Sequence, residues 1–258
     1  MRRLQVALLA GALVALVALV IVVLVSRGPD EKAPAVDGDL GPVLVVPGYA
    51  GTAGSVDPLR RQLEADGRVA VVVPPLGDGT GDLDATAAHV REVADQAMQD
   101  TGASSVDVVG YSAGGVVARL FVRDHGGADI TRRVITIGSP HHGSDVAAQV
   151  LAATGSCPTA CRQMRPDSAL LRALNDGDET PPGPTYVSIW AVDDRVSTPP
   201  ETARLSGAAL NLTVQSVCPD LHPAHGGLPA DPVVLALLGS ALGTGDPQAP
   251  TGVDCGTG

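Results

Sequence analysis

Aromatic side chains are almost missing from this sequence: one tryptophan, one phenylalanine and three tyrosines, 2% of 258 residues. A surface that stacks sugars or bases needs several exposed rings, so such a platform is not expected. Positive charge is scarce as well. Lys and Arg total 17 against 28 Asp and Glu, a formal net charge of −11, and Lys32 is the only lysine. A chain this acidic is repelled by nucleic acid and by anionic membrane surfaces, which excludes both as its main partner. Cysteines number only four: Cys157, Cys161, Cys218 and Cys255. The paired ligand spacing of structural zinc sites is missing, although "CPDLHPAH" does bring Cys218, His222 and His225 close along the chain.

One long apolar run stands out against these absences. Arg2 and Arg3 precede an uncharged stretch from Leu4 to Val25, 22 residues that would span about 33 Å as a helix. The arginines stay cytoplasmic, so everything after Ser26 is expected outside. The run ends in "VIVVLVSRGPD", without the small-residue site of a cleaved signal peptide, so residues 1–25 are predicted to remain as a transmembrane anchor. Cleavage and secretion is the alternative; a lipid-modified N-terminus is excluded because no cysteine lies there. Residues 26–40 are polar and Pro-rich and read as a linker, 41–243 as the folded domain and 244–258 as a loose C-terminal tail. An exported address favours disulfides over zinc. Three pairings exist for four cysteines. Cys157 and Cys161 share a short loop able to close on itself, which leaves Cys218 with Cys255.

Within the domain, short Val-rich runs alternate with amphipathic stretches. The runs at 42–48, 69–75, 105–110, 133–138, 185–191 and 210–217 read as buried strands bounded by Gly or Pro. "DPLRRQLEADG", "DLDATAAHVREVADQAMQDTG", "SAGGVVARLFVRDHGG" and "DPVVLALLGSAL" carry helical periodicity. This alternation predicts an α/β fold, a mostly parallel sheet with helices on both faces.

"SVDVVGYSAGG" then gains a meaning that its glycines alone do not have. A strand enters it and a helix leaves it, so Ser112 sits on a sharp turn at the exposed end of the sheet, at a helix N-terminus. Gly110, Ala113, Gly114 and Gly115 are small enough to let strand and helix approach. A serine nucleophile needs an acid and then a histidine downstream. Asp193 and Asp194 follow the strand at 185–191, and His222 and His225 follow the next one.

The stretches "VLVVPGYAGTAGS", "VDVVGYSAGGVVARLF", "VITIGSPHHGS", "SIWAVDDRVSTPP" and "CPDLHPAHGGLP" resemble secreted bacterial lipases and esterases of the α/β-hydrolase superfamily, in the same order, over residues 42 to about 240. The resemblance implies carboxylic-ester hydrolysis through an acyl-enzyme, with a small or absent lid, no cofactor, and a lipid or small ester as substrate. It makes Ser112 the nucleophile, His225 the general base and Asp194 its orienter. Asp194 is preferred to Asp193 because Val196 and Pro199 complete the D-x-V-x-x-P pattern of such lipases. His225 is preferred to His222 because it precedes a glycine deeper in its loop. Tyr49 and Ala113 would donate the backbone N–H groups of the oxyanion hole. Pro47 replaces the histidine that the family often places before Gly48, which leaves open how that loop is braced. His141 and His142 of "SPHHGS" precede any acid candidate and read as loop support. Two other readings compete with hydrolysis: acyl transfer to an alcohol from the same acyl-enzyme, and a non-catalytic binding domain on this fold.

Overall fold

The computed structural model describes residues 40–256. The predicted anchor at 1–25 and all of the linker except its last residue lie outside the described residues. Among the described residues, no helix is long and apolar enough to cross a membrane.

Six strands form one sheet: β1 (Val43–Val46), β2 (Ala70–Val72), β3 (Val106–Tyr111), β4 (Thr131–Ile137), β5 (Thr185–Trp190) and β6 (Ala209–Thr213). Their order is β2-β1-β3-β4-β5-β6, and every neighbouring pair is parallel. Each strand matches one of the six Val-rich runs. The runs read as continuously apolar because the sheet is covered on both faces. Alternation within a strand divides them: Leu44, Val46, Val108 and Val134 enter one core, and Val43, Val45, Val109 and Ile135 the other.

Helices α1 (Asp57–Ala65) and α7 (Pro232–Ala241) cover one face. The opposite face carries α2 (Leu83–Thr101) and α3 (Ala113–Asp124). The sequence places α2 sharply. Asp82 accepts hydrogen bonds from the N–H groups of Asp84 and Ala85, Gly102 ends the helix in a left-handed conformation, and Leu83, Ala87, Val90, Ala94 and Ala97 line its buried stripe.

Three more helices, not anticipated from periodicity, lie between β4 and β5: α4 (Asp145–Thr154), α5 (Thr159–Gln163) and α6 (Ala169–Leu174). Gly155, Pro158 and Pro166 cut this stretch into pieces too short to show a helical period. Cys157, Ala160, Cys161, Leu171 and Leu174 are buried beside α3, so the connection is packed into the core layer. The predicted pairings of the cysteines are present as disulfides, Cys157–Cys161 and Cys218–Cys255.

Candidate active site

β3 delivers Ser112 to the carboxyl end of the sheet, as its strand-turn-helix context requires. The serine is the residue before α3 and holds φ 54° and ψ −126°, a conformation that costs an L-residue roughly 1–3 kcal/mol. Its N–H donates to the Ile137 carbonyl at 2.8 Å, and its own carbonyl accepts from Gly115 N at 3.0 Å. The turn tolerates no bulk beside it. A methyl group on Gly114 would overlap the Val46 carbonyl, and one on Gly115 would overlap the Ser139 hydroxyl.

The loops after β5 and β6 complete a relay. His225 Nε2 lies 3.0 Å from Ser112 Oγ, and His225 Nδ1 lies 2.6 Å from Asp194 Oδ2. Both His225 and Asp194 are buried. The other carboxylate oxygen of Asp194 accepts the N–H groups of Val196 at 2.7 Å and Ser197 at 3.0 Å. The two bonds to Oδ1 hold this carboxylate against rotation away from the histidine.

The two rejected alternatives pair with each other. His222 Nδ1 sits 3.0 Å from Asp193 Oδ2, and both side chains are about half exposed, at 58% and 45%. This is a hydrogen-bonded surface pair and not a second relay. Nor do free thiolates remain for a metal, since all four cysteines are oxidised. Among the described residues, no group of three or more His, Cys, Asp or Glu is placed to hold a metal ion.

Two positioning residues escaped sequence reasoning. Tyr111, the residue before the serine, donates its hydroxyl to the His225 carbonyl at 2.9 Å and lays its ring 5.3 Å from the imidazole. Burial, reinforced by the Asp194 charge, pushes its phenol up to about 12, so it remains a donor at neutral pH. Ser197 donates its hydroxyl to the Gly138 carbonyl at 2.7 Å while its N–H holds Asp194. Both roles are bonds to backbone carbonyls, which leave no spacing signature. A polar ring at the buried end of a strand was the one available hint for Tyr111.

Gly48, Tyr49 and Ala113 line one pocket beside the serine. A methyl group on Gly48 would come within 2.9 Å of Ser112 Cβ, so the β1 loop passes close over Ser112. The missing histidine brace is replaced by backbone. Ala50, at φ 51°, donates its N–H to the Gly79 carbonyl at 3.0 Å, and Gly51 N donates to Gly48 at 3.0 Å. The loop is therefore tied to the β2–α2 connection.

His141 and His142 have partners elsewhere. His141 is completely enclosed, with Nε2 3.0 Å from Thr136 Oγ1; burial, with the charges of Arg119 and His142 adding to it, drives its pKa well down and keeps it neutral. His142 Nε2 meets Glu179 at 2.8 Å. That hydrogen bond raises the histidine, despite its partial burial. Burial alone would raise Glu179, but the bonds from His142 and Ser206 outweigh it and lower the carboxyl.

The family model described as palmitoyl protein thioesterase matches residues 42–176. That span holds Tyr49, Ser112 and Ala113 and stops before Asp194 and His225. Lipase B of Aspergillus fumigatus superposes with a TM-score of 0.71 at 20% identity, over 86% of this chain and 56% of that one. The chain thus spans little more than half the length of that enzyme. Mature lipase BlEst2 of Bacillus licheniformis gives 0.64 at 17% identity, over 84% and 94% of the two chains. The lin2722 gene product of Listeria innocua gives 0.53 at 15%, over 77% and 92%. At such identities the likeness carries the fold, which is that of the α/β-hydrolases. Among curated proteins, none matches this sequence.

Proposed function

The chain belongs to the palmitoyl protein thioesterase family, and from that premise we propose that it is a serine hydrolase that cleaves carboxylic esters, thioesters among them, through an acyl-enzyme. The observation that carries this reading is the unbroken relay from Ser112 through His225 to a doubly anchored Asp194, at 3.0 and 2.6 Å. In the first half-reaction Ser112 Oγ attacks the acyl carbon and its proton passes to His225 Nε2. Asp194 stays ionised and stabilises the imidazolium through Nδ1–H. The N–H groups of Tyr49 and Ala113 receive the developing oxyanion. Collapse of the tetrahedral intermediate expels the alcohol or thiol, which takes the proton from His225. Water, deprotonated by the same nitrogen, then attacks the acyl-enzyme and releases the acid and free Ser112.

The site of action that fits this chain is extracytoplasmic, with the protein held to the membrane through residues 1–25. Two disulfides support an oxidising compartment.

A fluorophosphonate probe and an ester assay test the reading together. The protein should gain one probe mass on Ser112, and Ser112→Ala should lose both the label and several orders of magnitude of turnover. Equal labelling of the variant, or a wild-type chain inert to probe and esters alike, would refute it.

A further inference from the structure

Past the ends of β5 and β6 the main chain stops pairing. The ladder between the two strands closes at Trp190 and Thr213. Among the described residues, no main-chain hydrogen bond then joins segment 191–199, which carries Asp194, to segment 214–230, which carries His225. The relay nevertheless needs these segments in one fixed relation, because its 2.6 Å contact runs between them. Tyr111 and Ser197 tie each segment separately to the sheet. Something else has to tie them to each other.

One side chain stands where the next rung of the ladder would be. Continuing the register by two residues sets Val192 opposite Gln215. There the chain has already turned into a 3₁₀ turn, Val214–Ser216, and the Gln215 side chain crosses in place of a backbone rung. Its Oε1 accepts the Val192 N–H at 3.1 Å, and its Nε2 donates to the Leu221 carbonyl at 2.7 Å. Val192 lies two residues before Asp194, and Leu221 four residues before His225. The chemical demand is narrow, since a carboxamide presents an acceptor and a donor side by side on one planar group. Asparagine is a methylene too short, and glutamate would set a carboxylate oxygen against the Leu221 carbonyl. Outside the relay, the other side-chain bond between the segments is the half-exposed His222–Asp193 pair, which solvent weakens.

On the hydrolase reading above, on which this inference rests, we infer that Gln215 is a positioning residue for the relay. Its carboxamide sets the spacing of the acid and histidine segments, and through them the contact between Asp194 and His225. Gln215 bonds to no atom of the relay itself, so it acts only through that spacing. Displacing a reacting group by about 1 Å can cost about 10²-fold in rate. The side chain is only partly buried and packs no core, so its loss falls on turnover before it falls on folding.

The test replaces Gln215 by methionine, which keeps the length and removes both bonds, and by glutamate, which keeps the bond to Val192. Each variant is assayed on p-nitrophenyl butyrate well below its melting temperature, alone and combined with Asp194→Asn. Gln215→Met should lower kcat about tenfold or more while KM stays within about twofold. Gln215→Glu should lower kcat as well, and both should shift Tm by only a few degrees. Combined with Asp194→Asn, either substitution should change the residual kcat less than about twofold, because the contact that Gln215 sets is already broken. An unchanged kcat, a change confined to KM, or an equal proportional loss in both backgrounds overturns the positioning role and leaves ester hydrolysis intact. If Gln215→Met fails to fold, the same readings of Gln215→Glu decide, and failure of both to fold makes the residue structural and overturns the inference. A wild-type chain that cleaves no ester overturns the hydrolase reading, and this inference with it.

Discussion

Exchange of Asp194 for asparagine is the most discriminating perturbation of the relay. Alanine would be a blunt choice, because it would strand the N–H groups of Val196 and Ser197, and each buried unpaired donor costs roughly 1–3 kcal/mol. Asparagine keeps the shape. Its carbonyl oxygen can take the Oδ1 position and retain both backbone bonds, at 2.7 and 3.0 Å in the native structure. Its amide nitrogen must then face His225 Nδ1 across the present 2.6 Å contact. Two donors cannot face each other, so the imidazole adopts the other tautomer and places its proton on Nε2, toward Ser112. The serine proton then has no acceptor. A loss of about 10⁴ in kcat is expected, as for an inverted tautomer in such relays, equivalent to about 5.4 kcal/mol of transition-state stabilisation. Asp193→Asn removes only an exposed pair with His222 and should change kcat less than about fivefold. Steady-state kinetics on a short-chain p-nitrophenyl ester, with a thermal melt to verify folding, decides between them. A crippled Asp193→Asn beside a mild Asp194→Asn would refute the assignment and the tautomer argument together.

Two further expectations follow from features outside the relay. The Cys218–Cys255 disulfide closes a loop across 37 positions, worth about 4 kcal/mol in a chain-entropy treatment, against about 2 kcal/mol for Cys157–Cys161 across four. Cys255→Ser should therefore lower Tm by roughly 10 °C and, because Cys218 lies seven residues before His225, weaken activity at elevated temperature; a larger loss from Cys157→Ser in the same melts would contradict this. The His142–Glu179 pair gives a pH signature. His142 is raised from 6.5 and Glu179 lowered from 4.5, so their mutual stabilisation is complete between those values and is lost as pH rises through the raised histidine pKa. His141 acts in the opposite sense, since protonation of the unfolded chain below 6.5 penalises its buried neutral form. Comparing Tm of the wild type and Glu179→Gln from about pH 5 to about pH 9 separates the two. The gap should be widest at the acid end and narrow toward alkaline pH, and a constant gap would sink the proposal.

The parts of this molecule that were legible in the sequence are those whose residue types answer a steric demand. Six Val-rich runs became six strands because a sheet covered on both faces needs apolar side chains in succession. Ser112 was legible through its small neighbours, whose necessity is visible where Gly114 meets the Val46 carbonyl and Gly115 the Ser139 hydroxyl. The D-x-V-x-x-P pattern pointed to the acid that faces the histidine, and the structure supplies a physical reason for part of it: the N–H groups at 196 and 197 fold back on Asp194 Oδ1. The helices between β4 and β5 were not legible, because pieces of ten, five and six residues separated by Gly and Pro carry too little period to register.

The "SPHHGS" loop is where residue type misleads most, and its bonds explain why two histidines stand so near a relay that does not use them. The loop begins at Gly138, whose carbonyl accepts the Ser197 hydroxyl. Farther along, Ser144 Oγ donates to the Val196 carbonyl at 2.5 Å and Asp145 N donates to Thr198 at 2.9 Å. Thr202 Oγ1 accepts from His142 N at 3.1 Å and donates to the Gly143 carbonyl at 2.6 Å. The segment after β4 is thus stitched at several points to the segment that carries Asp194. His141 and His142 anchor the first segment from beneath, one through Thr136 on β4 and the other through Glu179. A carboxylate that must hold one orientation against an imidazole needs a loop that cannot pivot, and a loop on the surface acquires that rigidity only from a neighbour that is itself fixed to the core. The histidines thus serve the acid through the hydroxyl and backbone contacts between the two segments, which is why their spacing to Ser112 carries no information.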